Sequence, residues 1–220
     1  MNMKLTKLVH SCLLIESNHG RTLADPGNYS WQSGVVLPEH LQNITNVAIT
    51  HVHPDHCDEN FVKAILANSP NAIWFGPTDV QSTLSNWGVG NFAIKAPNIK
   101  PIDSKHTHLA PWFPNDPDHT SYLIDDTILI SGDCHSISDG LDAPIFAAAV
   151  NGGPWGSVLD FVRMIETMKN RPKQVVPLHD WHWNTDARKA IYARLVEVLP
   201  QFGVSFTALE DGVATSIDLS

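Results

Sequence analysis

The stretch that decides the fold is THVHPDHCD, residues 50–58, at the end of an apolar segment. That segment, NVAITHVH (residues 46–53), is predicted to form a short buried strand because it is rich in Val and Ile. In extended backbone alternate side chains point the same way, so His51 and His53 would face one side together. Pro54 supports this geometry, because a residue that precedes proline favours extended backbone.

The chain then turns into a predicted helix capped by Asp58, and this turn would bring Asp55 and His56 beside the two histidines. Neutral imidazoles and carboxylates are ligands for divalent cations. The alternative interpretation is a solvated strand end without a ligand role. Crowded polar groups at the end of an apolar strand are costly unless they are paired, so the pattern favours a site for two metal ions.

Four side chains cannot complete the coordination of two metal ions, so further ligands are expected at the ends of later strands. His106 or His108 closes the predicted strand NIKPIDSKHTH, residues 98–108. Asp133 ends ILISGD, and His179 ends QVVPLHD. Strand ends that face loops are where sites assemble in α/β folds.

The composition predicts one globular domain over residues 1–220 and excludes some classes of partner. The formal net charge is −9, with only 14 Lys and Arg residues, which argues against a nucleic-acid binder. The three cysteines, Cys12, Cys57 and Cys134, are too few for a disulfide framework, so a reducing cytoplasm is expected. No segment approaches the roughly 18 apolar residues of a membrane helix, and no signal peptide is predicted.

Strand-like and helix-like segments alternate along the chain without an intervening linker. LVHSCLLIES and RTLADPG are predicted to form an early hairpin, and SYLIDDTILISGD and FTALEDGVATSI are predicted to form two later ones. SVLDFVRMIETMKN is the clearest helix, because Ser157 and Asp160 have the spacing of a capping box. Two strand-rich blocks, each followed by helices, predict an α/β fold with two stacked sheets and helices outside.

These motifs resemble those of the metallo-β-lactamase-fold superfamily of metal-dependent hydrolases, over nearly the whole chain. The matching residues are Asp25 in LADPG, HVHPDH at 51–56, His106, Asp133 in SGD and His179 in PLHD. The resemblance implies an α/β (α+β) fold, an αββα sandwich of two mixed β-sheets with helices on the outer faces. It also implies a site in a cleft along one edge of the sheets.

The resemblance further implies a set of metal ligands. Three side chains would bind the first ion: His51, His53 and His106. Three would bind the second: Asp55, His56 and His179. Asp133 would bridge the two ions, and Asp25 would orient the ligands through hydrogen bonds. His53 implies zinc, because oxygen-reducing di-iron relatives carry an acidic residue there; manganese and iron remain alternatives.

His106 is favoured over His108 as the ligand, although both have the same strand parity and could face the cleft. The segment SKHTHLAP resembles relatives in which the first histidine precedes the loop. The neighbouring cysteines Cys57 and Cys134 are interpreted as packing residues. His10 and His135 are interpreted as structural.

The implied activity is hydrolysis without a serine or cysteine nucleophile. A hydroxide that bridges the metals would attack a small ester, lactone, amide or phosphodiester, because a metal lowers the pKa of water to about 7. Asp55 would orient that hydroxide or move a proton. A nuclease or phosphodiesterase of the same fold and a non-catalytic metal-binding protein are the alternatives.

Aromatic side chains crowd the expected rim of the site: Trp112, Phe113, Trp155, Trp181 and Trp183. As a group they predict an apolar-walled pocket, with Trp155 and His182 facing the substrate. This pocket favours a small molecule over a long polyanion, and neither nucleic acid nor membrane is expected as a partner. The sequence leaves a homo-oligomer open.

Overall fold

The computed structural model describes residues 3–108, 115–137, 142–152 and 155–218. Within these ranges twelve strands form two six-stranded sheets. The strands of the first sheet are β1 (Met3–Lys7), β2 (Leu13–Ser17), β3 (Gly20–Ala24), β4 (Asn46–Ala48), β5 (Ile73–Phe75) and β12 (Thr215–Ile217). Their order is β12-β1-β2-β3-β4-β5. The pairs from β12 to β3 are antiparallel, whereas β3, β4 and β5 run parallel.

The second sheet has the same mixed character. Its strands are β6 (Ile99–Asp103), β7 (Thr120–Ile124), β8 (Ile128–Ile130), β9 (Ile145–Ala149), β10 (Gln174–Leu178) and β11 (Ser205–Phe206). Their order is β11-β10-β9-β8-β7-β6. β7 runs antiparallel to both of its neighbours, and the strands from β8 to β11 run parallel.

The helices of the described ranges are α1 (Asn28–Gln32), α2 (Pro38–Leu41), α3 (Glu59–Asn68), α4 (Thr78–Asn86), α5 (Val158–Thr167), α6 (Thr185–Val198) and the 3-10 helix Leu199–Phe202. The predicted cap of α3 is confirmed, because the Asp58 carboxylate accepts the Phe61 N–H. The predicted capping box of α5 is also confirmed, between Ser157 and Asp160. The longest of these helices, α6, has 14 residues, too few to cross a membrane.

Side-chain alternation along the strands creates four layers. Leu13 and Ile15 face the second sheet, in an apolar cluster that also contains Ile124 and Ile145. Leu14, between them, faces outward into a second cluster with α3 and α4. A third cluster lies between the second sheet and helices α5 and α6. The predicted αββα sandwich of two mixed sheets is therefore confirmed.

Several local predictions were wrong. The strand predicted over residues 98–108 ends at Asp103, so His106 and His108 lie beyond it. The strand predicted over LVHSCLLIES is shorter, because residues 8–12 form a loop between β1 and β2; the predicted hairpin with the next strand is confirmed as the antiparallel pair β2 and β3. FTALEDGVATSI is not a hairpin, because β11 pairs with β10 in one sheet and β12 with β1 in the other. The strand before the histidine motif ends at Ala48, so His51 and His53 lie in a loop and not in extended strand.

Candidate metal centre

The sheet topology gathers the predicted ligands at one edge of the sandwich. β1, β3 and β4 share one direction in the first sheet, as do β6, β8 and β10 in the second. The candidate side chains all follow the carboxyl ends of these strands: His10, Asp25, residues 51–56, His106, Asp133 and His179. Backbone hydrogen bonds join the two edges, from His179 N–H to His10 O (3.1 Å) and from Thr120 N–H to Thr50 O (3.0 Å).

One group of candidate ligands consists of three histidines and Asp133. It contains His51, His53, His106 and Asp133, whose ligand atoms all lie within 4.8 Å of one another. His51 Nε2 lies 3.1 Å from His53 Nδ1. Asp133 Oδ2 lies 3.8 Å from His51 Nε2 and 3.5 Å from His106 Nε2. These three histidines and one carboxylate could hold one metal ion.

A second group lies on the other side of Asp133. It contains His10, Asp55, His56 and His179, whose ligand atoms also lie within 4.8 Å of one another. Asp133 Oδ1 lies 3.2 Å from His56 Nε2, and Asp133 Oδ2 lies 3.4 Å from His179 Nε2. Asp133 therefore touches both groups, so the structure places it where a bridging ligand would be.

Asp25 fixes the orientation of this assembly. Its Oδ1 accepts the Thr50 N–H (2.7 Å), and its Oδ2 accepts the Thr50 hydroxyl (2.9 Å). The same Oδ2 lies 2.9 Å from His56 Nδ1, which must donate to it. His56 therefore carries its hydrogen on Nδ1 and presents a bare Nε2 to Asp133.

Three other histidines are held in the same tautomer by oxygen acceptors at Nδ1. His106 donates to its neighbour's carbonyl, Thr107 O (2.9 Å), and His179 donates to Asn151 O. The Thr50 hydroxyl, which already donates to Asp25, accepts from His51 Nδ1 (3.0 Å). In each imidazole the Nε2 lone pair then points toward Asp133.

This convergence of acceptors fits a bound cation. His106 Nε2, His179 Nε2 and Asp133 Oδ1 are buried and have no hydrogen-bond partner. Among the described residues, the ion pairs of Asp133 are all with histidines, not with Lys or Arg. Buried acceptors without donors are costly. Divalent ions would satisfy these lone pairs and neutralise the carboxylate at the same time.

The raised pKa values of two histidines also favour a cation at this centre. Burial alone would lower the pKa of His56, but Asp133 and Asp25 outweigh it and raise that pKa well above its usual value. Burial also opposes charge on His179, yet Asp133 and Asp55 raise its pKa to about 9. Without an ion these acceptor atoms would take up protons instead, so a cation at Nε2 of His179 would have to displace a proton.

Close backbone packing sets the position of Asp55. A Cβ on Gly27 would lie 1.8 Å from the carbonyl oxygen of Asp55, so only glycine allows the loop of residues 25–28 to approach so closely. The approach is held by the hydrogen bond from Asn28 N–H to Pro54 O (2.8 Å). The glycine of the sequence motif DPG is thereby explained.

The structure brings all seven predicted ligands together, and it also places side chains there that sequence analysis had set aside. The His10 ring, which was interpreted as structural, lies within the second group of ligand atoms. His119 lies against the first group, with its ring centroid 5.4 Å from that of His51. Ser11 Oγ lies 3.3 Å from His56 Nε2. The sequence signal for His10 is faint, a histidine–serine pair inside an apolar run.

Other candidates lie away from the two groups. His108 is on the surface, paired with Asp116 (2.7 Å), whereas His106 is in the first group. Cys57 packs in the apolar cluster behind the site, and burial raises the pKa of its thiol to about 12, so it is not a thiolate at neutral pH. Trp183 packs near Tyr192 under α6 and not on the rim. Trp112 and Phe113 lie outside the described residues.

Aromatic rings flank both groups. The Trp155 ring centroid lies 5.7 Å from that of His106 and 5.4 Å from that of His179. On the side of His10, Trp181 stacks on Tyr29, and the His182 ring lies 5.8 Å from that of His179. These rings provide apolar walls beside the polar centre.

A cavity of about 510 Å³ opens beside His106. It is lined by the following residues: Pro77, Thr78, Asp103, Ser104, Lys105, His106, Asp116, Pro117, Asp118, His119 and Thr120. The lining contains three carboxylates, those of Asp103, Asp116 and Asp118, and one lysine, Lys105, so the cavity is acidic. Its volume is in the range of small-molecule sites.

Comparison with known proteins identifies the family. Residues 4–179 match the sequence profile of the β-lactamase superfamily domain, so the chain belongs to that family. The protein named Rv0786c of Mycobacterium tuberculosis is 27% identical over 206 residues, which cover 89% of this chain and 92% of that protein. A stretch of 87 residues is 34% identical to a UPF0173 metal-dependent hydrolase of Rhizobium etli, and covers 36% of this chain and 37% of that protein.

A solved structure supports the fold independently. Igni18, a metallo hydrolase from the hyperthermophilic archaeon Ignicoccus hospitalis, superposes with a TM-score of 0.69 and covers 100% of both chains. At 17% sequence identity this likeness concerns the fold alone. The expected relationship to the metallo-β-lactamase fold is confirmed by the family match and by this superposition.

Proposed function

We propose that the protein is a metal-dependent hydrolase with two divalent ions, zinc by preference, that cleaves a small ester, lactone, amide or phosphodiester. One observation carries the proposal. The Nε2 atoms of four buried imidazoles converge on the single carboxylate of Asp133, and hydrogen bonds at Nδ1 hold all four in the tautomer that a metal requires. The match to a UPF0173 metal-dependent hydrolase supports the same class of activity.

The proposal assigns the two groups to two ions. His51, His53 and His106 would hold the first, and Asp55, His56 and His179 the second; Asp133 would contribute to both. Bound divalent cations would supply Lewis acidity, which would lower the pKa of water to about 7 and polarise a substrate oxygen.

Asp55 is the proposed proton-handling residue. Its side chain is 22% exposed, in contrast to the fully buried His51. Burial would raise the pKa of its carboxyl, but His56 and the hydrogen bond from His10 lower it below its ordinary value. Asp55 is therefore an ionised carboxylate at the open side of the centre, where it can orient a reacting water or accept its proton.

The surroundings of the centre favour a small, non-polyanionic substrate. The cavity beside His106 presents Asp103, Asp116 and Asp118 and would repel a nucleic-acid backbone. Trp155 adds an apolar wall close to both groups. We therefore propose a small molecule, partly apolar and uncharged or carrying few charges.

The test is reconstitution of metal-free protein with zinc, manganese or iron, followed by assays on lactones, aryl esters and bis-aryl phosphodiesters. Activity should require metal and should disappear in His51→Ala. His19→Ala is the matched control, because His19 lies in the β2–β3 turn at the opposite edge and is exposed. Activity that survives both chelation and His51→Ala would overturn the proposal. Full metal occupancy without turnover would identify a non-catalytic metal-binding protein instead.

A further inference from the structure

We propose that His10 is a positioning residue, which donates a hydrogen bond from Nε2 to Asp55 and so holds that carboxylate toward the second metal group. The inference rests on the proposed dinuclear centre and deepens it. It assigns a specific task to an imidazole that is not among the seven predicted ligands. The geometry of the loop between β1 and β2 carries it.

The loop of residues 8–12 is shaped to deliver His10 to the centre. Val9 and His10 have φ angles of 73° and 55°, in the left-handed region that non-glycine residues rarely adopt. The loop is closed by hydrogen bonds from Leu8 N–H to Cys12 O (2.8 Å) and from Cys12 N–H to Val9 O (3.1 Å). Ser30 Oγ also donates to Val9 O (2.9 Å). An unfavourable backbone conformation is therefore enforced by several surrounding contacts.

The tautomer of His10 follows from its partners. The backbone N–H of Trp181 donates to His10 Nδ1 (3.3 Å), so Nδ1 is the acceptor of the neutral ring. The ring hydrogen is then on Nε2, which lies 3.1 Å from Asp55 Oδ2. This is the reverse of the arrangement in His56 and His179, whose hydrogens are on Nδ1.

The position of the ring hydrogen distinguishes His10, a hydrogen-bond donor, from His56 and His179, which are candidate metal ligands. A nitrogen that carries a hydrogen has no lone pair for a metal, whereas His56 and His179 present theirs. His10 is fully buried, and its Nδ1 already accepts the N–H of Trp181, so the ring is fixed with its Nε2 toward Asp55. It therefore contributes a fixed hydrogen-bond donor.

The hydrogen bond has a direct consequence for Asp55. The same oxygen, Oδ2, lies 3.4 Å from His179 Nε2 and 3.8 Å from His56 Nε2. Because Asp55 is partly exposed, its carboxylate could otherwise rotate toward solvent. The buried Nε2–H of His10 keeps Asp55 Oδ2 close to the two candidate ligands His56 and His179. Hydrogen bonds from residues behind the ligands are known to set metal affinity by about 10–100-fold.

The experiment compares two variants of similar side-chain volume, His10→Gln and His10→Leu, in the full chain. The glutamine amide can donate to Asp55, whereas leucine cannot. Zinc stoichiometry and the affinity of each zinc are measured by competition with a chromogenic chelator, without any substrate. Thermal melting of the metal-free proteins shows whether each variant folds.

His40→Leu is the matched control. His40 is also buried, and its Nδ1 also accepts a backbone N–H, from Leu37 (3.0 Å), but it lies on α2 away from the centre. We expect this control to bind zinc as the wild type does. This control shows how far the loss of a buried imidazole, by itself, changes the zinc affinity and the melting temperature.

We expect His10→Leu to weaken the binding of one zinc about 10–100-fold and to leave the other unchanged, with His10→Gln within about threefold of wild type. Equal zinc binding in wild type and His10→Leu would show that His10 only packs. Complete loss of one zinc in both variants would show that His10 is itself a ligand. Either result overturns the inference and leaves the proposed function intact, whereas a wild type that binds fewer than two zinc ions refutes both.

Discussion

Two buried polar clusters lie side by side in this molecule, and they solve the problem of buried charge in opposite ways. The first, called here the charge cluster, contains Lys7, Asp180, Arg188, Tyr192 and Asp211. Lys7 Nζ lies 2.6 Å from Asp180 Oδ2, and both side chains are fully buried. Arg188 pairs with Asp211 at 2.8 Å, and the Tyr192 hydroxyl donates to Asp180. Its two carboxylates are balanced by two cations of the chain itself.

The second cluster is the candidate metal centre. Asp25, Asp55 and Asp133 meet histidines there, and no Lys or Arg of the described ranges forms an ion pair with them. Burial opposes ionisation of Asp133, but His179 and His56 lower its pKa well below the usual value. The difference indicates which cluster is structural: the carboxylates of the charge cluster are balanced by Lys7 and Arg188, whereas those of the centre have no Lys or Arg of the described ranges as partners and would be balanced by bound metal ions.

The largest expected effect comes from Asp133→Asn, which removes the carboxylate shared by both groups. We expect hydrolytic activity to fall by about 100-fold or more and zinc occupancy to fall with it. The metal-free variant should be less stable than the metal-free wild type, because His56 and His179 lose the buried carboxylate that pairs with them. Zinc analysis and urea unfolding of both metal-free proteins provide the check. A variant that keeps two zinc ions and full activity would contradict the comparison.

The charge cluster should respond in the opposite way. Lys7→Met leaves Asp180 buried without its closest cation, so the free energy of unfolding should fall by about 3–5 kcal/mol. Zinc occupancy of the folded protein should stay at the wild-type value. Urea unfolding and elemental analysis measure the two effects separately. Loss of zinc without loss of stability would reverse the assignment of the two clusters.

A smaller effect is expected from Asp25→Asn, which disturbs the partner of His56 without removing a ligand. An amide in place of the carboxylate removes one charged acceptor from Thr50 N–H and His56 Nδ1. Zinc affinity should fall by about 10–100-fold, with little change in maximal stoichiometry. Chelator competition measures this directly. Unchanged affinity would mean that Asp25 only stabilises the loop.

The smallest expected effect concerns His108. The sequence alone could not distinguish His108 from His106, because both would lie on the same face of a strand. His108→Ala should leave zinc affinity within about twofold of wild type, because His108 is exposed and pairs with Asp116. His106→Ala, measured beside it, should lose zinc. Equal zinc retention in both variants would remove His106 from the proposed first group.

The sequence predicted the layers of the fold and the short motifs well, because both depend on local pattern. Alternating apolar residues define the sheets, and residues 51–56 concentrate four candidate ligands in one turn. The last hairpin was wrong, because nothing local to β11 and β12 shows that they pair with different sheets. Pairing between distant strands is a property of the whole chain.

The residues behind the ligands were harder to predict for the same reason. His10 reaches Asp55 across 45 positions of sequence, through a loop with left-handed backbone that the apolar pattern of LVHSCLLIES conceals. His119 approaches His51 because Gly132 leaves room: a Cβ there would lie 2.6 Å from His119 Nε2. Such contacts arise only after the two sheets have stacked.

Calorimetric titration of the metal-free protein with zinc tests the central claim most directly, when it is repeated in buffers of different ionisation enthalpy. The pKa of His179 is raised to about 9, so its Nε2 carries a proton at pH 7 that zinc must displace. The account predicts two zinc ions per chain, release of protons on binding, and affinity that rises as the pH increases toward 9. Binding of fewer than two ions, or of two ions without proton release, would contradict it.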